Sequence, residues 1–165
     1  MRGPYSAMSL RLQALFGLRL EESLKIQPRI ADRGDKLILN ASWCKGGRTR
    51  EIAIRTEAQR QLLDAAKALA RGGSLVPAKR SYKEHLRQFG MQCDQAGIHK
   101  VHGHRHCYAQ ERYITLTGWA CPTQGGPTSK QLTPEQKRID KQVRKKISRE
   151  LGHGREQIVS IYLGR

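Results

Sequence analysis

Three short phrases constrain the fold of this chain most: Thr56-x-x-Gln59, Ser81-x-x-Glu84 and Thr133-Pro134-x-Gln136. In each, a hydroxyl residue stands three positions ahead of an amide or carboxyl side chain. The hydroxyl accepts from the N–H of the third helical residue and the longer side chain reaches back, so two donors that a helix start leaves unmet are satisfied together. Helical sequence follows each phrase: Leu62, Leu63, Ala66 and Leu69 after the first, a stretch to about Ala96 after the second, and Ile139, Val143, Ile147 and Leu151 at steps of four after the third. Against these stand only two β-favouring runs, Leu37-Ile38-Leu39 and Ile52-Ala53-Ile54, joined by Lys45-Gly46-Gly47-Arg48-Thr49-Arg50. They read as one antiparallel hairpin with a glycine turn.

The remaining punctuation fits the same plan. Met8, Leu12, Leu15 and Phe16 have helical spacing and end at Gly17, and Arg19 opens a second short helix that stops near Ile26, before Pro28. The residue ahead of a proline is driven out of the helical region, which sets that stop. A further helix starts near His104, carries Tyr108, Tyr113 and Leu116, and ends toward Gly118. The glycine- and proline-rich stretch that follows, about 118–133, is expected to be a mobile loop. The helix after Thr133 ends at Gly152, and a short last helix carries Tyr162. The chain of 165 residues fits one domain, 1–165, since a single core of that size buries enough surface to be stable.

The charge narrows the partners. With 31 Lys and Arg against 14 Asp and Glu the formal net charge is +17. A field of that sign attracts polyanions, and on a folded domain it points to a phosphate backbone, the plainer alternative being a basic surface kept for solubility. Aromatic residues at 5% leave few rings, which argues against a stacking platform for single strands. Beside the apolar stripe of the helix after Thr133 lie Lys137, Arg138, Lys141, Arg144, Lys145, Lys146 and Arg149. Lys137, Lys141, Arg144, Lys145 and Arg149, with Arg48 in the hairpin turn, are the candidate DNA contacts. The four cysteines, Cys44, Cys93, Cys107 and Cys121, form no C-x-x-C pair and read as reduced thiols, which places the protein in the cytoplasm. Arg11, Gln13 and Arg19 interrupt the longest apolar stretch, so no membrane span is expected.

Cutting a DNA strand without hydrolysis needs a nucleophile for phosphorus, cations for the non-bridging oxygens and an acid for the leaving oxygen. His102 and Arg105, three apart at a helix start, would project together as a phosphate cradle. His153 stands nine positions ahead of Tyr162, and this pair follows the His102-Gly-His-Arg105 run. Taken alone, each has a plainer reading: Tyr162 as a half-buried aromatic beside Ile158, Val159 and Ile161, and His153 as a residue following a helix-ending glycine.

These residues resemble the catalytic domain of the tyrosine recombinases, the phage integrase family. The His102-Gly-His-Arg105-His106-Cys-Tyr-Ala run is similar to the family's histidine–arginine box, and Leu151-Gly-His153 through Tyr162 is similar to its closing box. Phe16-Gly-Leu-Arg19-Leu-Glu-Glu-Ser-Leu24 resembles the segment with the first catalytic arginine, and Lys45 matches the hairpin lysine. The resemblance spans about 6–165 and implies a mainly α (α+β) fold, helical with a small antiparallel β-hairpin sheet. It further implies that Arg19 and Arg105 bind the scissile phosphate and that His102 and His153 hydrogen-bond to it or move protons. Lys45 would protonate the 5′-oxygen, and Tyr162 would form a 3′-phosphotyrosyl link. The resemblance also implies double-stranded DNA as the partner, no metal or nucleotide cofactor, and action as a tetramer on paired sites.

Alternatives stay open at several positions. Arg48 competes with Lys45 as the acid, and Arg11 and Arg29 compete with Arg19. His99, His102, His104 and His106 with Cys107 could suggest a metal site, but no zinc-ligand spacing is completed, and His99, His104 and His106 read as surface or packing residues. The family's separate N-terminal, core-binding domain is not found ahead of residue 6, so the chain is expected to be a fragment of a longer integrase or to grip DNA less firmly. The step from Arg105 to His153 exceeds the family's usual one, which makes Gly118 to Thr133 an expected insertion. The rival from another class is a non-catalytic DNA-binding protein derived from an integrase. An RNA-binding basic protein is a third reading.

Overall fold

The computed structural model describes residues 3–99, 103–153 and 155–165, and the chain divides into two compact units that meet in sequence at His102 and Gly103. The architecture is mainly helical with one small antiparallel sheet.

In the first unit, α1 (Pro4–Phe16) begins on a proline, whose missing N–H is no loss in a first turn, and ends where Gly17 turns left-handed at φ 61°. The short helices α2 (Leu20–Lys25) and α3 (Pro28–Ala31) follow. Strands β1 (Lys36–Leu39) and β2 (Arg50–Ala53) pair with Leu37 opposite Ile52 and Leu39 opposite Arg50. Helices α4 (Glu57–Ala70) and α5 (Tyr82–Gln95) complete the unit. Both expected capping boxes close, at Thr56 with Gln59 and at Ser81 with Glu84. Gln59 does more than cap, because its Nε2 donates to the Leu15 carbonyl at 2.8 Å and so ties the start of α4 to the end of α1. Leu12, Phe16, Leu37, Leu39, Ile52, Leu62 and Leu63 form one apolar core. A smaller cluster of Leu10, Leu24, Phe89 and Cys93 joins α5 to α1 and α2.

The connection between the strands is longer than a glycine turn. It carries a single helical turn, Ala41–Trp43, with Trp43 buried, before Gly46 and Gly47 reverse the chain at positive φ. Arg50, which the sequence places in the turn, is the first residue of β2 and faces inward. A buried guanidinium needs a partner, and Arg50 Nη2 lies 2.9 Å from Glu22 Oε2.

The second unit is built on α6 (Gly103–Thr117), α7 (Pro134–Glu150) and the one-turn α8 (Ser160–Leu163). Thr133 and Gln136 cap α7 as expected. Val143, Ile147 and Leu151 pack on Tyr108, Ala109 and Tyr113 of α6, and Cys121, Val159 and Leu163 close the cluster. Polar pairs bridge the same two helices. Tyr108 Oη donates to Glu150 at 2.9 Å, Arg112 Nε reaches the same carboxylate at 3.1 Å, and Tyr113 Oη donates to Asp140 at 2.5 Å. Burial, with Asp140 beside it, pushes the Tyr113 phenol up to about 12. Within the segment between α6 and α7, a turn at Pro122–Gln124 is formed and Cys121 and Leu132 are buried.

The first unit also carries an acid-sensitive tie. Burial raises the Asp32 carboxyl, but hydrogen bonds from Arg60 and Lys67 of α4 and from the Gly34 N–H outweigh it and hold the group well below the usual carboxylate range. A folded pKa below the unfolded one contributes stability that is complete above about pH 4 and is lost as pH falls. Asp32→Asn should therefore lower the unfolding free energy by about 2 kcal/mol at pH 7. Urea melts of the two proteins should converge as the pH is taken below about 4.

Candidate active site

The site in the second unit begins with how α7 ends. Gly152 is left-handed at φ 69°, its N–H bonds to the Arg149 carbonyl at 2.9 Å, and the His153 N–H bonds to the Ser148 carbonyl at 2.9 Å. This paired closure is a Schellman motif, and it turns His153 back toward the helix bundle. Ser148 Oγ adds a bond to the Arg155 carbonyl at 3.1 Å, which steers the chain toward α8.

Arg105 lies in the first turn of α6 and is 1% exposed. Its Nη2 donates to the Leu151 carbonyl at 2.9 Å and stands 3.4 Å from His153 Nε2. The same Nε2 is 3.3 Å from Tyr162 Oη. Arginine can only donate; in a neutral imidazole with its ring proton on Nδ1, Nε2 can accept from Arg105 or from the Tyr162 hydroxyl. Arg105, His153 and Tyr162 are thus brought together, as the sequence expects. The Tyr162 side chain is mostly buried, with the His106 ring edge-on at 4.7 Å between centroids and the Arg105 guanidinium 5.9 Å from its ring centre.

In the first unit, Arg19 precedes α2 and is aimed by Glu22. The carboxylate accepts from the Arg19 backbone N–H at 2.7 Å and from its Nη1 at 2.7 Å, while Arg50 approaches from β2. Glu22 is completely buried, so it is held by cations on two sides. Cys44 lies in the same neighbourhood, and burial, reinforced by Glu22, raises its thiol pKa despite the two arginines. Lys45 and Arg48 are exposed on the connection between the strands. His102 lies outside the described residues.

On α7, Lys137, Lys141, Lys145 and Arg149 are all exposed and recur at i+4, making one basic row. Arg144 is engaged otherwise. Its Nε bonds to Asp140 at 2.8 Å, its Nη1 to the Gly164 carbonyl at 2.8 Å, and its guanidinium stacks 5.6 Å from the Tyr113 ring centre. Among the described residues no group of three or more His, Cys, Asp and Glu could hold a metal ion. Among them, too, no helix is long and apolar enough to cross a membrane.

The chain belongs to the integrase family, that of the tyrosine recombinases: the family model described as Integrase matches residues 2–111 of the 165. The match takes in the first unit from residue 2 and α6 as far as Glu111, Arg105 included, and it ends ahead of His153 and Tyr162. A comparison with the curated proteins finds no match.

Of the residues around Tyr162, His106 reads in the sequence as surface or packing, and its ring does pack against Tyr162; Gln110 and Thr123 carry little or no signal. Gln110 donates to the Tyr162 carbonyl at 3.1 Å, and its signal is the i+4 step from His106 along α6. Thr123, which bonds to the same carbonyl at 3.3 Å, carries no local signal.

The geometry at Gly152 generates a test. Gly152→Ala puts a Cβ into the left-handed conformation, which costs about 1 kcal/mol. Thermal unfolding should show that loss, and the His153 imidazole resonances in an NMR spectrum should shift as the ring moves from Arg105 and Tyr162. Unchanged His153 resonances would mean the closure of α7 does not set its position.

Proposed function

We propose that this integrase-family protein is a site-specific DNA recombinase of a mobile element that cuts and rejoins DNA through a 3′-phosphotyrosyl intermediate. The observation that carries this reading is the contact of Tyr162 Oη with His153 Nε2 beside the Arg105 guanidinium. A phenol has a reference pKa of about 10, so attack near neutrality needs a base in hydrogen-bond reach. In this reading His153 is that base, accepting through Nε2, and Arg105 offers positive charge to the phosphate.

In the proposed step the Tyr162 oxygen forms a bond to phosphorus while the bond from phosphorus to the 5′-oxygen breaks. The phenol proton passes to His153 and the leaving oxygen takes a proton from Lys45. Arg105 and Arg19 neutralise the non-bridging oxygens, and His102 hydrogen-bonds to the phosphate. No water is consumed and nothing is oxidised, so a 5′-hydroxyl from another strand reverses the step and rejoins the DNA. The basic row Lys137, Lys141, Lys145 and Arg149, with Arg48, follows the duplex backbone, and protomers assemble as a tetramer on paired sites. Arg144 acts within the second unit, on Asp140 and Gly164.

The test uses a pool of labelled, nicked duplexes of randomised sequence, from which the short cleaved strand diffuses away and leaves the protein attached. Wild type should yield a covalent adduct that survives denaturation, and Tyr162→Phe should yield none while keeping salt-sensitive DNA affinity. Equal adduct from both proteins, or none from wild type, would instead favour an integrase-derived DNA binder without chemistry.

A further inference from the structure

The helix that carries Tyr162 is too short to hold its own shape. α8 has four residues, and a single helical turn in water is unstable because one hydrogen bond does not offset the backbone entropy of fixing it. Its last carbonyls also have no partners within the helix. They are met from elsewhere in the second unit. The Tyr162 carbonyl accepts from Gln110 Nε2 on α6 at 3.1 Å and from Thr123 Oγ1 in the Pro122–Gln124 turn at 3.3 Å. Gln110 and Thr123 are themselves 3.4 Å apart, so the two donors form one bracket. Two residues on, Arg144 of α7 holds the Gly164 carbonyl at 2.8 Å.

Packing reinforces the bracket. Gly164 has a positive φ of 75°, and a Cβ there would come within 3.1 Å of Pro122 and 3.2 Å of Thr123. Cys121, at the base of the turn, is fully buried with Leu163 in the same core, and its Sγ lies 3.1 Å from Thr123 Oγ1. The turn therefore has a fixed base and places its hydroxyl on the backbone of the residue whose side chain faces His153.

We infer that the Pro122–Gln124 turn and Gln110 form a latch that aims the Tyr162 phenol by gripping its carbonyl, which makes Thr123 and Gln110 positioning residues for strand cleavage. The inference rests on the reading of Tyr162 as the nucleophile. The latch acts on the backbone of the attacking residue and leaves the binding of DNA to other side chains. Loosening it lowers the rate of the chemical step without weakening the complex.

Single-turnover cleavage of the nicked duplex pool, with DNA affinity measured in parallel by gel shift, tests this. Thr123→Val keeps the shape and removes the donor, and Gln110→Met keeps the length and removes the amide. Each should slow adduct formation about 5-fold, the worth of one modest hydrogen bond, with the dissociation constant unchanged. Thr123→Ser, which keeps the hydroxyl, should cleave at close to the wild-type rate. Thr123 is exposed, so its substitution leaves the core in place, and melting curves for each variant separate loss of fold from loss of aim. Adduct from wild type with unchanged rates in Thr123→Val and Gln110→Met overturns the latch alone. A slow Thr123→Ser as poor as Thr123→Val also overturns it. No adduct from wild type overturns the nucleophile reading, and the latch falls with it.

Discussion

The second unit is organised around a buried charge. Arg105 is almost completely buried, and a guanidinium there is tolerated only if its donors find acceptors. The Leu151 carbonyl is one such acceptor, and it is free to serve because the last carbonyls of a helix have no partner within it. That bond draws the start of α6 to the end of α7. Once the two ends are joined, the left-handed Gly152 sets His153 beside the guanidinium and within reach of Tyr162. The reactive geometry therefore follows from where the Nη2 of one buried cation finds its acceptors.

The first unit solves a similar problem with the signs exchanged. Glu22 is the buried group, and it is compensated by Arg19 on one side and Arg50 on the other. Buried ion pairs add little net stability, because desolvation offsets most of the attraction. Their physical effect here is orientation. A carboxylate that bonds both the backbone N–H and the side chain of Arg19 limits the directions that arginine can take.

How much of this was legible in sequence depended on range. The capping boxes at Thr56, Ser81 and Thr133, the stripe Val143, Ile147 and Leu151, and the bend at Gly17 were read correctly because each is a signal among residues within a turn or two of one another. The placement of Arg105, His153 and Tyr162 together was anticipated by their order along the chain. The sequence places Arg50 in the turn rather than in the strand, since its burial depends on Glu22, far away in sequence. The same holds for Gln110 and Thr123, whose shared target is a carbonyl near the other end of the unit. In the sequence Arg144 belongs with the cations of α7, and only its contacts with Asp140, Tyr113 and Gly164 distinguish it from Lys141 and Lys145.

By itself, then, the sequence determined the helical plan, the single hairpin, the positive field suited to a phosphate backbone and the residue types able to carry phosphoryl transfer. Those properties are local or additive, so composition and spacing suffice to state them. The tertiary structure decided which arginines face water and which are buried, which nitrogen of His153 meets Tyr162, and what holds a one-turn helix in place. Each of those depends on hydrogen bonds between groups distant in the chain, and their geometry exists only after the apolar cores have formed.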